Sequence, residues 1–247
     1  MNVRGYIGHL IRRSVGTTNF IRIIEWRSIS EWLNLDEGDK VLDVACGDGI
    51  LSLKIAERGC SVCGIDISEN AINRASQLAK RDKISCEFQV GDAECLPYAD
   101  GCFDKIVSSS SLEHFQDDVK ALREMNRVLK PNGIIMLTTD SLSYLINDRT
   151  KQKHSKIANV VNYYDSEKLE KRLASCGFGM IKSKYLLNSG ITSFFYKLGI
   201  RLEWSGLLWM GISLIAYPLC SISDKLFGIK GVGYTLITEA KKIMESA

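Results

Sequence analysis

Residues 41 to 49 read Val-Leu-Asp-Val-Ala-Cys-Gly-Asp-Gly. An apolar run ends in a carboxylate, Asp43, and a turn carrying Gly47 and Gly49 follows. The segment from Ile50 to Arg58 then has helical character. Strand, glycine turn and helix let a backbone lie against a nucleotide-like ligand. A dinucleotide's pyrophosphate asks for Gly-x-Gly-x-x-Gly at the helix N-terminus. Here the third position is Ser52, and the Asp43 carboxylate repels phosphate. A ligand with positive charge and no phosphate removes the conflict. S-adenosylmethionine, with its ammonium and sulfonium, is such a ligand.

Two further acids extend this reading. Asp66 closes the apolar run that starts at Ser61, where an acid can accept from both ribose hydroxyls. Asp92, in Gly91-Asp92-Ala93, follows the next run and is placed to meet the adenine amino group. Any one such acid is commonly a helix cap or turn residue. Three acids closing three consecutive strands, beside a glycine turn, favour a ligand.

With these pieces the chain resembles the class I S-adenosylmethionine-dependent methyltransferases, in particular their type 11 domain group. The matching pieces are Val41 to Gly49, Gly64 to Ser68, Gly91 to Pro97, Phe103 to Phe115, and Leu122 to Leu137. The run Leu-Arg-Glu-Met-Asn-Arg-Val-Leu-Lys-Pro-Asn-Gly in the last is typical of the group. The resemblance implies a Rossmann-like α/β fold with a seven-stranded, mostly parallel sheet, helices on both faces and the last strand antiparallel. It implies that Asp43, Ala45, Cys46, Gly47 and Gly49 line the methionine end. Asp66 and Ile67 would serve the ribose side, and Asp92 and Ala93 the adenine. Ser109 and His114 would flank the reacting sulfonium, and the spent cofactor would be S-adenosylhomocysteine. Ala45 departs from the family, which often has glycine there.

Methyl transfer is an in-line displacement with a neutral leaving group, so orientation and exclusion of water supply much of the rate. A hydroxyl acceptor also needs a base. His114, in Ser111-Leu112-Glu113-His114-Phe115, is the candidate base, or else a residue that shapes the cofactor pocket. Glu113 precedes it, and the Glu-His pair is similar to one in the cyclopropane-forming relatives. Tyr6, Arg13, Tyr163 and Tyr164 are the candidate acceptor residues.

The elements that must position these groups follow from periodicity. Apolar positions from 18 to 33 predict one or two helices before the first strand, Lys40 to Cys46. Strands are predicted at 61–67, 84–90, 103–108, 134–139, 180–187 and 233–239. Helices are predicted over 51–58, 69–80 (capped by Ser68), 116–129, and from a Ser166 cap to Gly177. Pro131-Asn132-Gly133 reads as a turn. One methyltransferase domain results. It comprises an N-terminal helical segment (1–37), a cofactor core (38–187), an apolar helical insert (188–231), and a last strand with its tail (232–247).

Outside the cofactor frame, 141–162 is long and basic and reads as a lid. Residues 204 to 223 carry no charge. A membrane span is rejected, because the chain must return to complete the sheet and Pro218 and several serines interrupt the segment. Two readings stand. The segment caps the acceptor pocket or a second subunit, or it lies in a membrane surface with Trp204, Trp209 and Tyr217 near the headgroups.

The 247 residues are 45% apolar and 25% charged, with a net charge of +3. That composition fits a globular protein, monomeric or homodimeric, and does not argue for nucleic acid. The N-terminus reads as lacking a signal peptide, which predicts a cytoplasmic protein, with peripheral membrane contact through 204–223 on the second reading. The eight cysteines read as reduced thiols. Cys60 and Cys63 lie in a strand, where they point to opposite faces, so no metal is expected. The function read from the chain is methylation of a small apolar or amphiphilic acceptor, lipid-linked or quinone- or polyketide-like. A tRNA or rRNA methyltransferase and a non-catalytic cofactor-binding relative are the competing readings.

Overall fold

The computed structural model describes residues 19–144, 146–202 and 206–243. Tyr6, Arg13 and Trp204 lie outside them. The strands are β1 (Lys40–Val44), β2 (Ser61–Asp66), β3 (Glu87–Val90), β4 (Phe103–Ser109), β5 (Leu129–Asp140), β6 (Phe178–Leu186) and β7 (Thr235–Lys242). They form one sheet in the order β3-β2-β1-β4-β5-β7-β6. The first five pair in parallel, and β7 runs antiparallel between β5 and β6. The mostly parallel sheet expected from the sequence is therefore present, with the antiparallel strand one place inside its edge.

The helices are α1 (Phe20–Trp32), α2 (Ile50–Ala56), α3 (Glu69–Asp82), α4 (Asp118–Val128), α5 (Asp148–Ala158), α6 (Ser166–Ala174), α7 (Gly190–Arg201) and α8 (Gly206–Phe227). Both sheet faces are covered, so the parallel strands read as continuous apolar runs. Successive residues still alternate between two cores. Leu42, Ile106 and Ile135 join the core that holds Leu122 and Met125 of α4. Val41, Val107 and Met136 join the core that holds Phe20 of α1, Tyr196 of α7 and Trp209 of α8.

Local chemistry sets the element boundaries. Ser68 caps α3 by accepting the Ala71 amide. Asp165, rather than Ser166, caps α6, because its carboxylate accepts the Lys168 amide. The 131–133 turn lies inside β5: pairing jumps from Phe103–Leu129 to Lys105–Ile134, and the residues between bulge out, with Asn132 left-handed. The amphipathic 18–33 segment is one helix in its described part, opened by Asn19.

The chain leaves β1 toward β2 on one side and later returns to β4 on the other. This reversal opens a crevice at the carboxyl ends of β1 and β4, where doubly wound sheets bind ligands.

Candidate functional site

A cavity of about 580 Å³ lies at this carboxyl edge. Ala45, Ile65, Asp66, Ile67, Gly91, Asp92 and Ala93 line one side. Arg22, Ser109, Ser110, Ser111 and His114 line the other, with Glu94, Phe115 and Gln116. Seven sequence-predicted residues thus meet around one space: Ala45, Asp66, Ile67, Asp92, Ala93, Ser109 and His114.

Asp66 ends β2 and is fastened by backbone. Its Oδ2 accepts the Gly47 amide at 2.8 Å, and its Oδ1 accepts the Ser68 amide at 2.9 Å. Each carboxylate oxygen has a second lone pair, so capacity for hydroxyl donors remains. Asp92 is exposed at the rim, and its Oδ1 accepts the Glu94 amide at 2.8 Å. Ile67, 75% exposed beside Asp66, offers an apolar wall for a flat ring.

The glycine turn works through space and conformation. Gly47 has a left-handed φ of +54°, and a Cβ built on it would meet nothing within 4 Å. Ligand atoms can therefore approach this backbone closely. Gly49 has φ +72°, and its Cβ would lie 2.6 Å from the Phe88 ring. One glycine leaves room for a ligand, and the other lets α2 pack against β3 and α3. Ala45 is also left-handed, with φ 57°. That conformation strains an alanine by roughly 1–2 kcal/mol and explains why glycine is common there.

Asp43, Cys46, Gly47 and Gly49 do not line the cavity. Asp43 turns under the glycine turn instead. It is 2% exposed, and its Oδ2 accepts from Ser52 Oγ at 2.5 Å. Burial pushes its carboxyl up to about 7, and the Ser52 hydroxyl opposes that shift. Contrary to the expectation from sequence, Asp43 does not face the cavity. This acid supports the turn from below. Cys46 is half-buried, and burial raises its thiol well above the ordinary range.

At the opposite end, the one-turn helix Leu112–His114 carries His114 into the cavity wall. Its Nδ1 lies 3.3 Å from the Asn159 carbonyl. Burial holds the imidazole below its ordinary value, so the ring is neutral near pH 7. A neutral ring donating through Nδ1 leaves the Nε2 lone pair free to accept.

Glu113 points away from the cavity into a buried acidic cluster with Glu25 and Asp140. Its Oε1 accepts the Asp140 amide at 3.2 Å, and its Oε2 has no partner among the described residues. Glu25, from α1, accepts from Ser110 Oγ at 2.9 Å and from Thr235 Oγ1 at 3.3 Å. Arg22 lies 3.4 Å from Glu25 and donates to the Ser109 carbonyl at 3.1 Å. Burial raises all three carboxyls, Asp140 to about 7. Behind Asp140 stands His154 of α5, with Nδ1 3.0 Å from Tyr163 Oη. Burial lowers His154 to about 4, so it is neutral too.

The two candidate acceptor tyrosines part company. Tyr163 is half-buried and holds His154 in the 141–162 segment. Tyr164 is fully buried, and its hydroxyl donates to Asp118. As a core residue it cannot touch an acceptor. Cys60 and Cys63 diverge as well: one sulfur faces the Asp36 carbonyl, the other Glu87. Arg22 and Glu25 of α1 and Ser110 after β4 join the site without any motif in the sequence to mark them. Both charged residues sit on a helix remote in sequence, and periodicity carries no signal for them.

The comparisons with known proteins agree with this geometry. Residues 35–186 match the family described as a methyltransferase domain. Phosphoethanolamine N-methyltransferase 3 of Arabidopsis thaliana is 39% identical over 44% of the chain and 22% of its own length. Ubiquinone biosynthesis O-methyltransferase of Coxiella burnetii is 31% identical over 49% of the chain and 51% of its own. The chain thus spans about half or less of these relatives. A crystal structure of geranyl diphosphate methyltransferase in complex with SAM has the same fold, with a TM-score of 0.65 at 14% identity. That match covers 88% of this chain and 84% of the other. The residues around the cavity fit that cofactor: two acids and an apolar wall on one side, an open glycine backbone near them. The chain belongs to the class I S-adenosylmethionine-dependent methyltransferase family.

Proposed function

We propose that this chain methylates a small apolar or amphiphilic acceptor, of quinone-like, polyketide-like or lipid-linked type, with S-adenosylmethionine as donor. The observation that carries this reading is one cavity with two acids at its nucleoside side and Arg22, Ser109 and His114 at the other. The cofactor supplies an electrophilic methyl group on a sulfonium. Asp66 and Asp92 hold its ribose and adenine. Arg22 of α1 borders the cavity, and the 141–162 segment packs its His154 inward.

His114 is the base for a hydroxyl acceptor. Its neutral ring is anchored on the Asn159 carbonyl, and the remaining nitrogen takes the proton. The quinone-type relative supports the acceptor class. Peripheral membrane contact through 204–223 belongs to the same reading.

Calorimetry with S-adenosylmethionine, followed by mass spectrometry of hydroquinones of graded tail length, tests it. Heat on mixing and a product heavier by one methyl group are expected. No heat rejects the cofactor site. Binding with no product from any hydroquinone rejects the quinone-like acceptor.

A further inference from the structure

The geometry points to the outer face of α8 as a docking surface for an anionic lipid bilayer. This rests on the apolar-acceptor reading and deepens it. Ile215, Leu219, Ile222 and Leu226 are spaced so that they form a single stripe along the helix. All four are exposed, Ile215 by 63% and Leu226 by 65%. Phe227, the last residue of α8, and Ile229 just beyond it are exposed as well. Single exposed apolar residues are ordinary, but a stripe of four with two more beside its end is not.

The opposite face of α8 is anchored to the protein. Trp209, Ala216 and Cys220 are buried, and the Trp209 ring lies 5.8 Å from that of Phe20 in α1. This corrects the expectation that Trp209 reaches the headgroups: it is a core residue. Tyr217 is half-buried and accepts from Arg27, so it is not an anchor either. Among the described residues no helix is long and apolar enough to cross a membrane. A helix bound to the protein along one side and apolar along the other is built to lie flat in a membrane interface.

Charge selects the occupant. The exposed charged residues of α7, α8 and the following loop are Lys197, Arg201, Lys225 and Lys230, all basic. The one acid among the described residues there, Asp224, is half-buried and accepts from Thr192 Oγ1 at 2.6 Å. A basic rim around an apolar stripe complements anionic headgroups over acyl chains. A second copy of the chain is a poor occupant, because two-fold pairing would bring basic rim against basic rim. Because α8 packs on α1, and α1 delivers Arg22 to the cavity, the lipid-facing helix and the reacting end share one element. An amphiphilic acceptor would then reach the site from the bilayer.

Co-sedimentation of the full chain with phosphatidylcholine vesicles, with and without phosphatidylglycerol, tests this. Binding to the anionic vesicles is expected, weakening as salt rises. The triple variant Ile215→Ser, Ile222→Ser, Leu226→Ser should partition roughly tenfold less or weaker still. The pair Lys225→Glu, Lys230→Glu should lose the preference for phosphatidylglycerol. Both variants change exposed side chains, and unchanged S-adenosylmethionine calorimetry verifies their folding. Wild type that stays in the supernatant overturns the proposal, as does a triple variant that sediments equally. Self-association that the triple variant abolishes, without vesicle binding, assigns the face to a second copy instead. Methylation of a soluble hydroquinone that survives a failed vesicle test sinks only the membrane surface. Absence of cofactor binding in wild type sinks the functional reading.

Discussion

The carboxylate of Asp66 accepts the backbone amide of Gly47 at 2.8 Å, tying the end of β2 to the glycine turn after β1. The acid assigned to the ribose therefore also sets the height of the backbone at the methionine end. Asp66→Ala removes a ligand acceptor and unfastens the turn together. Affinity for S-adenosylmethionine should fall by roughly tenfold to a hundredfold, as expected for a lost charged hydrogen bond. Asp66→Asn retains an acceptor and should fall less. Calorimetry on both decides, and equal affinity for wild type and Asp66→Ala refutes the assignment.

Gly47 and Gly49 have similar left-handed backbones and opposite surroundings. Gly47→Ala adds a methyl group to open space at a strain of about 1 kcal/mol. It should fold and bind the cofactor poorly. Gly49→Ala drives a methyl group into Phe88 and Ala75. It should lose about 2–4 kcal/mol of stability, strain and overpacking combined. Urea unfolding and calorimetry on the pair separate the two effects. A stable Gly49→Ala protein contradicts the packing argument.

His114→Gln tests the base. Loss of a general base lowers kcat by roughly 100-fold or more, while a residue that merely shapes the pocket alters KM. Because burial lowers the imidazole, wild-type kcat/KM should rise with pH through a point below the ordinary histidine value and then level. The variant should lack that limb. A flat wild-type profile across the same range removes His114 from proton transfer.

Asp43 makes stability depend on pH. Burial lifts its carboxyl from 3.8 to about 7 in the folded chain. Between those values the folded state keeps a proton that the unfolded state releases. Stability from this group is full below about pH 4 and is lost as pH rises through 7. Asp43→Asn stays neutral throughout and still accepts from Ser52. Its stability relative to wild type should climb between pH 5 and pH 7, by on the order of 3 kcal/mol at most, and then level, which a series of Tm measurements reads out. The lowered histidines titrate equally in both chains and cancel. A Tm difference that stays constant across pH denies the buried proton.

Legibility in the sequence followed sequence distance and local patterning. Asp66, Ile67, Asp92 and Ala93 lie at strand ends, where the boundary itself marks the edge of the sheet. The run of strands and helices that positions them alternates plainly. The direction of Asp43 was hidden, because a parallel strand covered on both faces carries no alternation to reveal a side. Tyr163 and Tyr164 look alike in sequence but point apart, one to His154 and one to Asp118. Arg22 and Glu25 reach the site from α1, across a separation no local pattern spans. Trp209 looked like an interfacial anchor from composition. Only the packing of α8 on Phe20 shows which side of that helix is inward.

The place of β7 has a consequence for how the chain folds. It follows α7 and α8 in sequence yet sits between β5 and β6, hydrogen-bonded to both. Until it arrives, the adjoining edges of those two strands are open, and the apolar helices have been made without the sheet that fixes them. The α8 surface thus emerges before β7 has closed the sheet, and stays unanchored by it until it does. Folding governed by such late, long-range pairing is slow. A chaperone or a nearby bilayer that shelters α8 during synthesis should raise the yield of folded protein more than it raises final stability.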